Sequence, residues 1–115
     1  MMRMSRVVIY MAVGLPAQLS PVMAQPPPPM PGKLLYEQSC LVCHGEDGTG
    51  AMPGVADLTD DDRLKKLTDS QIEHSIRNGV QREGAVLTMP AKGGNPAMSD
   101  EDISRIIKFM KKTFK

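Results

Sequence analysis

Cys40-Leu41-Val42-Cys43-His44 decides how the rest of the chain is read. Two thiols three residues apart share one face of a helical turn, and the imidazole of His44 follows directly. Three chemistries use part of this set. A dithiol redox site of the thioredoxin kind stands in a βαβ context, whereas this motif closes a helical pattern that no strand precedes. A zinc site takes four ligands, and beyond these residues only His74 is available. A structural disulfide across so short a loop stabilises little. What fits is the attachment signal of c-type haem. Each thiol reaches one vinyl group of the porphyrin to form a thioether, and His44 projects onto the iron as proximal ligand.

The compartment agrees with that chemistry. Arg3 and Arg6 precede an apolar run from Val7 to Leu15, Pro16 and Pro21 break it, and Val22-Met23-Ala24 offers small residues for a signal peptidase. This layout predicts a cleavable secretory signal over 1–24 and a periplasmic protein. The alternative, an uncleaved anchor, needs roughly 20 apolar residues to span a bilayer, and this run falls well short. The mature form is therefore expected to have no membrane span. Residues 25–31, with Pro26 to Pro29 and Pro31, read as a stiff polyproline-type linker. Residues 32–115 form the single domain. Without Arg3 and Arg6, twelve of the fourteen basic residues face thirteen acidic ones, a balance with no nucleic-acid footprint.

Helical periodicity dominates that domain. One helix is predicted from about Lys33 to Cys43, after the break at Pro31-Gly32. A second starts at a capping box of Thr68 and Gln71, with Leu67 and Ile72 as a hydrophobic staple, buries Ile72 and Ile76, and ends at Gly79. A third repeats the device with Ser99, Asp102, Met98 and Ile103. It then lays Ile103, Ile106, Ile107, Met110 and Phe114 along one face and Lys108, Lys111, Lys112 and Lys115 along another. No strand alternation is convincing. The expectation is an all-α fold of three or more helices, with long loops over Gly45–Leu67 and Val80–Met98. The domain has no Trp, and its aromatic residues are Tyr36, Phe109 and Phe114. Loops that long persist only if something packs them, and a large apolar cofactor would.

The iron also needs a sixth ligand or a deliberate vacancy. His74 lies two positions from both Ile72 and Ile76, so it faces outward. Met30 sits in the linker, and Met52 follows His44 too closely to cross to the opposite haem face. Met98 is explained by the staple and Met110 by the apolar face of the last helix. Met89 is left, between Thr88 and a stiffening Pro90. A His/Met pair suits an electron carrier.

Taken together, Cys40 to Gly45, the Met89-Pro90-Ala91-Lys92-Gly93-Gly94 loop and the Met98-to-Ile103 lead into the last helix resemble the small bacterial class I monohaem cytochromes c. The resemblance runs from Gly32 to about Lys112. It implies the class I cytochrome c fold around one covalent haem c, with thioethers at Cys40 and Cys43 and with His44 and Met89 on the iron. It also implies contact between the first and last helices, where Gly32 and Tyr36 meet Ile106 and Phe109. A proline carbonyl in the loop after the motif, here Pro53, would hold the other nitrogen of the proximal imidazole.

The expected function is shuttling of single electrons between a dehydrogenase or quinol-oxidising complex and an acceptor such as a terminal oxidase. The protein would be a carrier rather than an enzyme, made with the help of the cytochrome c maturation machinery. Two alternatives share every motif: a tightly bound haem subunit of a larger oxidoreductase, and a gas or redox sensor in which Met89 dissociates. The lysine stripe is read first as a complement to the helix dipole and second as a docking face. Asp60 to Asp62 read as a solvated turn rather than a metal site.

Overall fold

Thr68 and Ser99 set where two of the helices begin in the computed structural model, which describes residues 6–60 and 63–114. The Thr68 hydroxyl accepts a hydrogen bond from the Gln71 N–H at 3.2 Å, and Gln71 Oε1 accepts from the Thr68 N–H at 2.9 Å. Ser99 and Asp102 make the same reciprocal pair at 3.1 and 3.0 Å. Each box satisfies two backbone donors that a helix start leaves orphaned. The chain accordingly folds into α1 (Gly32–Ser39), α2 (Leu41–His44), α3 (Asp69–Asn78) and α4 (Asp100–Thr113), with a short 3₁₀ turn over Ala91–Gly94. The described residues before Gly32 are exposed and without regular structure. Among the described residues no helix is long and apolar enough to cross a membrane.

The core lies where α1 and α3 meet α4. From α4, Ile103, Ile106, Ile107 and Met110 are buried, joined by Phe114 just beyond its end. Leu35 and Tyr36 face them from α1, and Ile72 and Ile76 from α3. Burying side chains of this size contributes about 1.5–3 kcal/mol each. The helices α1 and α4 approach closely because Gly32 has no side chain: a Cβ there would lie 2.2 Å from the Arg105 carbonyl oxygen and 3.1 Å from Phe109 Cβ. The Tyr36, Phe109 and Phe114 rings then pack mutually, with centroids 5.2 to 5.9 Å apart. Three of the four aromatic residues are thus concentrated at one point.

The first helix departs from its expected course. Instead of one helix from Lys33 to Cys43, the chain breaks at Cys40 (φ −121°, ψ −31°). Its N–H donates to the Tyr36 carbonyl at 2.8 Å and so closes α1, while its carbonyl accepts from His44 N–H at 2.9 Å and opens α2. The break separates two tasks. Leu35 and Tyr36 face α4, whereas Cys40, Cys43 and His44 turn to a cavity.

The lysine face of α4 also differs in part. Lys111 pairs with Asp69 and donates to the Leu67 carbonyl, tying α4 to the start of α3. Lys108 and Lys112 are exposed. Lys115, Asp61 and Asp62 lie outside the described residues.

Candidate functional site

A cavity of about 360 Å³ lies beside the core, within the size range of small-molecule sites, and both cysteines line it. Cys40, Cys43 and His44 contribute from the α1–α2 junction, Ile76 from α3, and Leu87, Thr88 and Met89 from the loop before the 3₁₀ turn. The sequence-predicted donors are therefore brought to one place, although His44 and Met89 are 45 positions apart in the chain. Pro53 is not among the lining residues.

Local structure fixes the His44 end. The carbonyls at the end of α2 accept from the following loop: His44 O takes the Gly50 N–H at 2.8 Å and Cys43 O the Ala51 N–H at 2.8 Å. Tyr36, 1% exposed, donates its hydroxyl to the Gly45 carbonyl at 2.6 Å. His44 Nδ1 lies 3.2 Å from the Ala56 carbonyl oxygen. A carbonyl can only accept, so Nδ1 carries the proton and Nε2 keeps its lone pair for a metal. The acceptor expected at Pro53 is thus Ala56, three residues on. The loop turns repeatedly through glycines, and its path rather than any side chain decides which carbonyl faces the ring. A backbone carbonyl leaves no mark in a sequence, so nothing pointed to Ala56.

Electrostatics favour neutral groups here. Burial holds the His44 imidazole below the usual histidine pKa, against the opposing pull of its bond to Ala56. Burial, then the neighbouring Cys43, pushes the Cys40 thiol up to about 11. Cys40 and Cys43 are not joined to each other as a disulfide. These residues fit a covalently held haem: two thiols in helical spacing, an imidazole nitrogen left available, a thioether, and predominantly apolar walls. Among the described residues there is no cluster of three or more His, Cys, Asp or Glu that suits a bare metal ion.

The other candidate ligands fall elsewhere. His74 is exposed and bonds Asn78. Met98 and Met110 are 2% and 4% exposed within the helical core, and Met30 and Met52 are exposed. None of the five lines the cavity.

Comparison with known proteins gives consistent matches. The family model described as cytochrome c oxidase, cbb3-type, subunit III matches residues 27–110. Cytochrome c-555 of Prosthecochloris aestuarii is 32% identical over 81 residues, covering 69% of this chain and 81% of that protein. The cbb3-type cytochrome c oxidase subunit FixP of Azorhizobium caulinodans is 35% identical over 83 residues, 70% of this chain, which spans only 27% of FixP. Among solved structures, the KustC0563 c-type cytochrome superposes with a TM-score of 0.55 at 25% identity, covering 75% of this chain and 100% of that one.

Proposed function

Because the chain belongs to the family described as cytochrome c oxidase, cbb3-type, subunit III, we propose that Cys40 and Cys43 hold its haem by thioethers and that His44 and Met89 are the axial ligands. The fold is the all-α class I cytochrome c fold, the cofactor is covalently bound haem c, and the chain is a c-type haem electron carrier. In the fuller reading it is exported, and it passes single electrons from a dehydrogenase or quinol-oxidising complex to an acceptor such as a terminal oxidase.

The observation that carries the site assignment is the convergence of Cys40, Cys43, His44 and Met89 on one cavity. When bound, haem c supplies one-electron exchange between ferric and ferrous iron. The chain's own residues do the rest. Cys40 and Cys43 anchor; the Ala56 carbonyl orients His44 and raises its basicity as a ligand. Met89 would supply the second iron ligand from a separate segment of the cavity lining, and a thioether ligand favours the reduced state relative to harder ligands. Two fixed ligands keep reorganisation small as charge changes.

Met89→Ala and Met98→Ala, matured with haem, test this directly. Only the first should lose low-spin His/Met ligation and bind carbon monoxide in the ferrous form. A parent protein that is already high-spin at neutral pH and takes up carbon monoxide would overturn the reading in favour of a sensor.

The family match and the FixP relative favour a second arrangement, in which the chain works as a haem-carrying part of a cbb3-type oxidase. Co-purification with membrane oxidase subunits under mild detergent supports that arrangement; a freely diffusing monomer supports the shuttle.

A further inference from the structure

The loop that carries Met89 is pinned at both ends by glycines that have no part in the proposed chemistry. At the end of α3, Gly79 has φ +76°, and a Cβ there would lie 2.5 Å from the Met89 carbonyl oxygen and 2.8 Å from the Ala91 nitrogen. The next residue, Val80, exchanges both backbone hydrogen bonds with Met89, each N–H donating to the other's carbonyl at 3.0 Å. Beyond Met89, Gly93 (φ +59°) comes against the end of α1: a Cβ there would lie 2.4 Å from the Ser39 carbonyl oxygen. Ser39 directly precedes Cys40. In both places the obstacle is backbone held in a helix end or a paired loop, which cannot swing aside as a side-chain tip does. Lys92, beside Gly93, adopts φ +56°, a left-handed conformation that a non-glycine residue takes only against its own steric preference. The surrounding contacts therefore hold this turn against its intrinsic preference.

We propose that Gly79 and Gly93 are positioning residues for the sixth ligand. Their bare backbones let the Met89 loop seat against the end of α3 and against the cysteine-bearing segment at once, which sets the reach of the Met89 sulfur into the cavity. The proposal rests on the reading of Met89 as an iron ligand. Gly94 provides an internal comparison: its φ is +80°, yet a Cβ there would meet nothing within 4 Å. Alanine at 93 or at 94 takes a positive φ in either case, and only alanine at 93 adds the collision.

The experiment compares Gly79→Ala, Gly93→Ala and Gly94→Ala as matured holoproteins. It reads the methionine–iron charge-transfer band, carbon monoxide uptake by the ferrous form, and the thermal midpoint. Gly79→Ala and Gly93→Ala are expected to lose the band and admit carbon monoxide. Gly94→Ala is expected to melt earlier than the parent while keeping the band and excluding carbon monoxide. The proposal is overturned if the first two retain methionine ligation. It is equally overturned if neither yields holoprotein while Gly94→Ala matures normally, since the glycines then serve folding alone. Met89→Ala separates the premise: a band that survives that change removes Met89 itself as ligand, whatever the glycines do.

Discussion

Replacing Tyr36 by Phe isolates one hydrogen bond at the point where the core meets the cavity. The hydroxyl donates to the Gly45 carbonyl at 2.6 Å, directly after His44. Burial pushes its pKa well above the usual tyrosine value, so it stays a donor at any working pH. The ring itself is held by Phe109 at 5.4 Å and Phe114 at 5.2 Å, and phenylalanine keeps both contacts. An orphaned buried carbonyl would raise the cost to as much as about 3 kcal/mol. Gly45 O also accepts the Gly48 N–H at 3.3 Å, so it is not orphaned, and the expected loss is about 1 kcal/mol. For a domain of this size that lowers the melting midpoint by about 4–8 °C. Tyr36→Leu additionally removes two ring pairs, each worth about 0.5–1.5 kcal/mol, and should be clearly worse. Thermal and urea melts of the haem-loaded protein, followed by far-ultraviolet circular dichroism, measure both variants. Parent-like stability in Tyr36→Phe, or no further loss in Tyr36→Leu, would refute the reasoning.

Ile106 is 0% exposed, so Ile106→Ala should cost about 2–5 kcal/mol; a loss under about 1 kcal/mol in the same melts would mean that the α4 face is not the core. Thr68→Ala removes the cap of α3 and should cost about 1 kcal/mol, with Thr68→Ser close to neutral; equal losses in the two would exclude the hydroxyl as the cause. The Asp102 carboxyl is held below the usual aspartate range chiefly by the Ser99 N–H, against the opposing effect of burial, with Arg105 adding to the lowering. A depressed folded-state pKa gives stability that is complete above the unfolded value, about 3.9, and is lost as pH falls through the folded one. Acid melts of Asp102→Asn should therefore show a shallower decline than the parent below about pH 4, and identical declines would count against the capping assignment.

Some of this architecture was legible because its causes are local. A capping box needs only two side chains three residues apart, which is why the starts of α3 and α4 could be read at Thr68 and Ser99. The apolar face of α4 could be read because it repeats at the helical period. The pattern of Cys40, Cys43 and His44 is equally local, and it could be read without any knowledge of the fold. The break at Cys40 was not legible, since nothing in Tyr36 to His44 is a helix breaker; it arises because α1 must face α4 while the next turn faces the cavity. The Ala56 acceptor was missed for a related reason. The route of the loop from Gly45 to Leu58, closed by the Leu58 N–H on the Gly48 carbonyl at 2.7 Å, is a tertiary property. The Val80–Met89 pairing was missed too, because two residues cannot display strand alternation.

The partnership of α1 with α4 also governs when a nascent chain can begin to fold. Leu35 and Tyr36 lie near the start of the domain, and the isoleucines that cover them lie near its end. A ribosome must release nearly the whole polypeptide before those surfaces can meet, and contacts between such distant segments form late. Until then Leu35 and Tyr36 have no α4 surface to pack against.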